Sequence, residues 1–299
     1  MLRLYYWFAG DNLKAYDYAQ RMVEINKAHH REETVSGKTA RMLVANSTYS
    51  LGQVVRSRQL FLEAIPEVEP WDSERSKEWR KMGYQYGEIL SRLGEVKKAV
   101  PILRDAVDAV GHGGNQQVLI RSRILLARAC LRAGLIDEAE TSLAAAFAGI
   151  DSDEAAYGVY RLEATRLRAE IQLARGQLDA AAQDLGKMLQ KIGYPELKRA
   201  LSLPEALLTM ARIQHAQHRF PEAQASARAA LQIFESDTLD PAQSADVGEA
   251  LLELAQIQLD AGESAAAAQS LQRATPALRN GLGPDHALTL QSQRLAGLP

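Results

Sequence analysis

The chain has 299 residues, of which 35 are Lys or Arg and 37 are Asp or Glu, giving a formal net charge of −2. That balance provides no electrostatic footprint for nucleic acid or for an anionic membrane. The single cysteine, Cys130, excludes an internal disulfide and suits a reducing, cytoplasmic compartment, and no apolar run approaches the ~20 residues needed to cross a bilayer.

The opening MLRLYYWFAG runs straight into a turn at Gly10 without the small polar region of a cleavage site, so it reads as the end of a helix. That turn is the first of seven, at Gly10, Gly52, Gly94, Gly134, Gly176, His218 and Gly262, spaced by 42, 42, 40, 42, 42 and 44 residues. Five residues after them stand Ala15, Ser57, Ala99, Ala139, Ala181, Ala223 and Ala267. Four further on come Ala19, Phe61, Leu103, Leu143, Leu185, Ala227 and Leu271, and three beyond those Met22, Ala64, Ala106, Ala146, Met188, Ala230 and Ala274. Seven residues before the turn the chain carries Ala45, Gly87, Ala127, Ala169, Ala211 and Ala255, never anything larger than alanine.

Residues three and four apart share a helical face, so the positions after each turn form one stripe of a second helix, B. The small residue before the turn lets a first helix, A, approach it closely. Ala, Leu, Glu, Gln and Arg abound and strand-type alternation is absent, so the fold is all-α. A period near 42 predicts a stacked array in place of a single core. The first repeat, about residues 1–30, begins partway along helix A. Repeats two to seven span about 33–281, and a C-terminal capping helix about 285–297. Leu2, Leu4, Tyr5, Tyr6, Trp7 and Phe8 form an aromatic half-helix that an upstream domain or a partner would cover. Loops are expected at PEVEPWDS (66–73), GHGGN (111–115), IDSDE (150–154), GYP (193–195) and SDTLDP (236–241). Gly281, Gly283 and Pro284 are expected to break the last helix B, after which Asp285 caps a helix from about His286 to Ala296.

The stretches RLGEVKKAVPILRDAV, RAGLIDEAETSLAAAF, ARGQLDAAAQDLGKML and DAGESAAAAQSLQRAT resemble the tetratricopeptide repeat family. The repeat is longer than that family's familiar 34 residues, as in the long-repeat domains of kinesin light chains and bacterial regulators. The resemblance implies a right-handed α-solenoid of seven helix-turn-helix repeats, with a concave groove lined by helix A that binds a protein or peptide and carries out no catalysis. Its groove-facing positions lie thirteen, ten, six and three residues before each turn. On this chain they are Thr39, Met42, Asn46 and Tyr49; Lys81, Tyr84, Glu88 and Ser91; Arg121, Ile124, Arg128 and Leu131; Glu163, Arg166, Glu170 and Leu173; Glu205, Leu208, Arg212 and His215; and Glu249, Leu252, Gln256 and Leu259.

Among these, Arg121, Arg128 and Arg166 form a basic centre whose guanidinium forks suit a partner's carboxylate or phosphate. The alternative is that they pair with Glu88, Glu163 and Glu170 on neighbouring helices. Asn46, Tyr49 and Tyr84 add an amide and two rings for a peptide, and Arg212 a further cation. The two-carboxylate pattern of chaperone-binding members is not reproduced. The residues suggest no cofactor and no metal: GHGGN follows a helix and lacks the Lys-Ser/Thr of a phosphate loop, His215 and His218 have no third ligand nearby, and His29 and His30 suit a helix C-terminus. By resemblance the chain is the sensing or recruiting arm of a larger bacterial signalling protein, a kinase or transcription regulator. The other readings are a receptor for a small signal peptide and the non-catalytic part of an enzyme.

Overall fold

A computed structural model describes residues 6, 8–69, 71–72, 83–111, 115–197 and 200–297. Leu2, Leu4, Tyr5, Trp7, Lys81 and the centre of GHGGN lie outside them. The described residues form helices joined by turns, with no strand among them. In chain order the helices are α1 (Asn12–Ala28), α2 (Val35–Ser50), α3 (Val54–Ala64), α4 (Gly83–Arg92), α5 (Val96–Gly111), α6 (Gln116–Arg132) and α7 (Ile136–Ser152). They continue as α8 (Glu154–Tyr157), α9 (Arg161–Ala174), α10 (Leu178–Lys191), α11 (Leu203–Ala216), α12 (Phe220–Ser236), α13 (Ala245–Asp260), α14 (Ser264–Leu282) and α15 (Ala287–Leu295).

All seven turns are left-handed, from φ 59° at His218 to 82° at Gly94. In each, the N–H after the turn residue donates to the carbonyl five positions back, as from Gln53 to Thr48, Glu95 to Leu90, Leu135 to Cys130 and Glu263 to Gln258. This arrangement satisfies the last carbonyls of helix A while reversing the chain. The small positions meet as expected. Ser57 Oγ donates to the Ala45 carbonyl at 2.7 Å, and a Cβ at Gly87 would lie 2.7 Å from Leu103 Cγ. The alanines at both positions are fully or almost fully buried.

The backbone groups into two compact units. Residues 67–202 contain the hairpins α4–α5, α6–α7 and α9–α10. Glu69 and Trp71 reach the α4–α5 hairpin: Trp71 Nε1 donates to Asp105 Oδ2 of α5 at 2.7 Å and the Tyr86 hydroxyl of α4 donates to Glu69. The expected loop at 150–154 is almost entirely helical. α7 continues to Ser152, and Asp153 alone breaks it because its carboxylate accepts the Ala156 N–H at 3.1 Å and starts α8.

The second unit joins residues 1–66 to 203–299, so α1, α2 and α3 share a unit with α11 to α15. The joint is polar. Both Asp237 oxygens accept the Asn12 N–H, at 3.1 and 3.2 Å, placing a carboxylate at the start of α1 where the helix dipole favours it. Thr238 Oγ1 donates to the Leu51 carbonyl at 3.1 Å and the Ala245 N–H to the Gly52 carbonyl at 2.9 Å. At the aromatic end, Tyr6 stacks on Tyr18 with ring centroids 5.4 Å apart. Two expectations at the C-terminus need correction. Gly281 lies inside α14, small because Ala245 packs on it: a Cβ there would be 2.5 Å from the Ala245 nitrogen. The last helix is capped by His286, whose Nδ1 accepts the Leu288 N–H at 3.2 Å, and not by Asp285.

Gly134 and Gly52 separate turn strain from crowding. At Gly134 an added Cβ meets nothing within 4 Å, whereas at Gly52 it would lie 2.2 Å from Ser244 Oγ and 3.1 Å from the Ala245 nitrogen. Gly134→Ala is expected to cost about 1–2 kcal/mol for the left-handed backbone, and Gly52→Ala a further ~1–3 kcal/mol of overpacking, read from urea unfolding.

Candidate functional site

The helix-A positions of residues 67–202 assemble into one charged network. Arg121 and Arg128, both on α6, reach across to carboxylates on the helices either side. Arg128 Nη1 donates to Glu88 Oε1 of α4 at 3.1 Å and Nη2 to Glu163 Oε1 of α9. Arg121 Nη2 donates to Glu88 Oε2 at 3.2 Å, and its Nη1 lies 3.8 Å from Glu163 Oε2. On α9, Arg166 Nη1 donates to Glu170 Oε1 at 2.6 Å. Beside the network, Arg132 Nη1 donates to Ser91 Oγ at 3.1 Å. The pairing alternative is therefore the one realised: the three arginines spend their charge on Glu88, Glu163 and Glu170.

The pairs are buried, with Glu163 only 3 % exposed, Arg166 6 % and Glu88 8 %. Burial pushes the Glu163 carboxyl upward, but Arg128, Arg121 and Arg166 outweigh it and hold it below the usual carboxylate range. Burial likewise works against the charge of Arg121, and Glu88 and Glu163 overcome it, raising that guanidinium. Tyr84 stands half-exposed beside Arg121 with its hydroxyl accepting from Gln85 Nε2 at 3.0 Å.

The other predicted site residues belong to the second unit. Asn46 and Tyr49 lie half-exposed on α2. Arg212 on α11 donates from Nε to Glu253 Oε2 at 3.3 Å, with Nη2 3.8 Å from Glu249 Oε2. His215, one helical turn on, bridges Glu253 Oε1 at 3.2 Å and Asp260 Oδ2 at 2.9 Å. The Glu253 contact is the main cause of its raised pKa, burial opposes it, and Asp260 adds to it. With both ring nitrogens facing carboxylates, the imidazolium is the favoured form.

One set of positions departs from expectation. Met42, Ile124, Leu208 and Leu252, ten residues before their turns, are buried. Arg166 at the same offset is buried as well, and Tyr84 alone of these six positions is half-exposed. His218 is a turn residue. Cys130 is buried and its thiol is pushed up to about 12 by burial, which leaves it a packing residue. Among the described residues no group of three or more His, Cys, Asp or Glu is placed to hold a metal, and no helix is long and apolar enough to cross a membrane.

Two predictions follow from the networks. Arg128→Ala leaves Glu88 and Glu163 buried with half their neutralisation gone and is expected to cost about 3–5 kcal/mol in denaturant unfolding. For His215 the folded pKa is raised, so its stabilisation is complete below the unfolded value near ~6.5 and fades as pH rises through the folded value. Wild type should therefore lose stability relative to His215→Gln between about pH 6 and 8, and parallel melting curves across that range would refute the bridging role.

The family model for the tetratricopeptide repeat matches residues 120–145, spanning α6, the Gly134 turn and the start of α7. No curated protein matches the chain. Among solved structures, NprR in complex with its cognate peptide NprX is similar at 14 % identity and a TM-score of 0.68, over 93 % of this chain and 78 % of that one. The Rap protein complexed with competence and sporulation factor is similar at 13 % and 0.68, over 98 % and 85 %. A tetratricopeptide repeat protein from Parabacteroides merdae is similar at 11 % and 0.54, over 99 % and 96 %. Residues 120–145 carry a tetratricopeptide repeat, and the left-handed turns and small helix contacts repeat the same helix-turn-helix pattern in register along the described residues.

Proposed function

We propose that the chain is a non-enzymatic interaction module whose helix-A face in residues 67–202 receives a segment of a partner protein or peptide. The observation that carries this is the Glu88–Arg128–Glu163 bridge. It ties three successive A helices together beneath this face and leaves the half-exposed Tyr84 ring at its edge. The network is internally neutral, so it favours a ligand that offers backbone groups and an apolar side chain over one recognised by a lone carboxylate. The similarity to NprR, solved with its cognate peptide, and to Rap, solved with competence and sporulation factor, supports a peptide-sized ligand. In this reading the chain is the recruiting arm of a larger cytoplasmic signalling protein, a kinase or transcription regulator. The Asn46–Tyr49 face and Arg212 would serve the same role in the other unit.

A photo-crosslinking residue at Tyr84 tests this without disturbing the ion network. In cells, adducts with a polypeptide are expected at Tyr84 and not at the exposed helix-B position Lys98. Adducts at Lys98 alone, or equal labelling at both, would refute the assignment. A receptor for a small signal peptide would in addition compact on binding, measurable by small-angle scattering.

A further inference from the structure

The face opposite the arginine network holds a second feature. Between α7, α9 and α10 lies a groove of about 810 Å³. Its apolar lining comes from Leu143, Ala144, Phe147, Ala148, Ile171 and Met188. Ala144 and Ala148 are exposed and four residues apart, so they present a shallow strip on α7 along which another helix can approach closely. The strip continues onto Phe147, whose ring carries the Arg168 guanidinium 4.9 Å from its centroid.

The charge around the groove is asymmetric once the pairs are removed. Its three carboxylates are each engaged by an arginine: Glu140 by Arg175 at 2.8 Å, Asp151 by Arg161 at 2.6 Å, and Asp184 by Arg168 at 3.2 Å. Lys187 and Lys191, exposed and one helical turn apart on α10, form no ion pair among the described residues, and Lys191 reaches only a longer-range influence on Glu154. Inside, the Gln172 side-chain nitrogen donates to Asp184 Oδ2 at 3.3 Å, while its buried carbonyl oxygen has no hydrogen-bond partner.

We infer that this groove docks a short amphipathic helix from a partner protein, with apolar residues seated over Ala144, Phe147, Ala148 and Met188 and carboxylates facing Lys187 and Lys191. The small-residue strip selects a helix over an extended chain. The unpaired lysines select an acidic flank, because with the three carboxylates engaged by arginines they leave the rim an excess of positive charge that discriminates against cationic ligands. The site shares no residue with the helix-A network, so it stands or falls separately from the function proposed above.

The test is fluorescence anisotropy on the full chain with a labelled helix-forming peptide of about 18 residues carrying leucine on one face and glutamate on its flanks. A second peptide has lysine in place of glutamate, and a third the same composition in scrambled order. The acidic helix is expected to bind and the other two to bind at least about tenfold more weakly, with affinity falling as salt rises. Lys187→Glu with Lys191→Glu, exposed changes that leave the core intact, should invert the preference between the glutamate and lysine peptides. Ala148→Glu should weaken the acidic peptide further. The inference is overturned if the acidic peptide binds the double variant as well as wild type, if the scrambled peptide matches it, or if no peptide binds. It is equally overturned if vesicles containing phosphatidylglycerol bind in a Lys187- and Lys191-dependent manner while the acidic peptide does not.

Discussion

The close approach of helix A to helix B within each hairpin is the constraint on which the rest depends. A left-handed residue reverses the chain over one hydrogen-bonded turn, and so short a connection can close only if both facing side chains are small. The contact itself buries little surface. Its value lies in bringing larger residues at the next turn of helix B, such as Phe61, Leu103 and Leu185, into full burial, where each contributes about 1.5–3 kcal/mol of transfer free energy. The positions that consume the apolar side chains are thereby fixed. What remains for partners is the far face of helix A and the outer face of helix B.

On the helix-A face, charge sets the register between hairpins. A buried ion pair is often no more stabilising than a well-packed apolar substitute, but removing one partner is costly. Arg121 and Arg128 of α6 both require Glu88 on one neighbour and Glu163 on the other. A shift of either neighbouring hairpin by one helical turn would strand a carboxylate out of reach of both guanidiniums. Packing along the B stripe tolerates such slippage better, because small and apolar residues recur at the same spacing in every repeat. The network thus supplies a specificity of stacking that the repeated small residues alone leave open.

How much of this could be read from the amino-acid order depends on range. The turns, the small contacts and the buried stripe are set within about a dozen residues and fall where the spacing places them, except that Met22 is exposed and Met188 half-exposed at the stripe's last position. Glu88, Arg121, Arg128 and Glu163 could be identified as sharing a face because helical periodicity fixes orientation; whether they would pair with one another or await a partner depends on distances between hairpins. The Asn12–Asp237 and Leu51–Thr238 contacts join residues about two hundred positions apart, and no local pattern marks them. His286 holds the capping role expected of Asp285, with an extended backbone at φ −67° and ψ 141° and its Nδ1 accepting the Leu288 N–H.

The two faces of residues 67–202 therefore differ in what they can recognise. On the helix-A side the formal charges of Arg121, Arg128 and Arg166 are balanced by Glu88, Glu163 and Glu170, and an anionic ligand would have to displace a buried carboxylate, leaving it without its cation. On the helix-B side the arginines are equally occupied, but Lys187 and Lys191 stand in solvent, where a partner's carboxylate meets them with little desolvation cost. Exposed lysines add little affinity by themselves and contribute mainly to selection and encounter rate. The binding energy of the inferred helix must then come from covering Phe147, Met188 and the alanine strip, with the two lysines deciding which apolar helix is accepted.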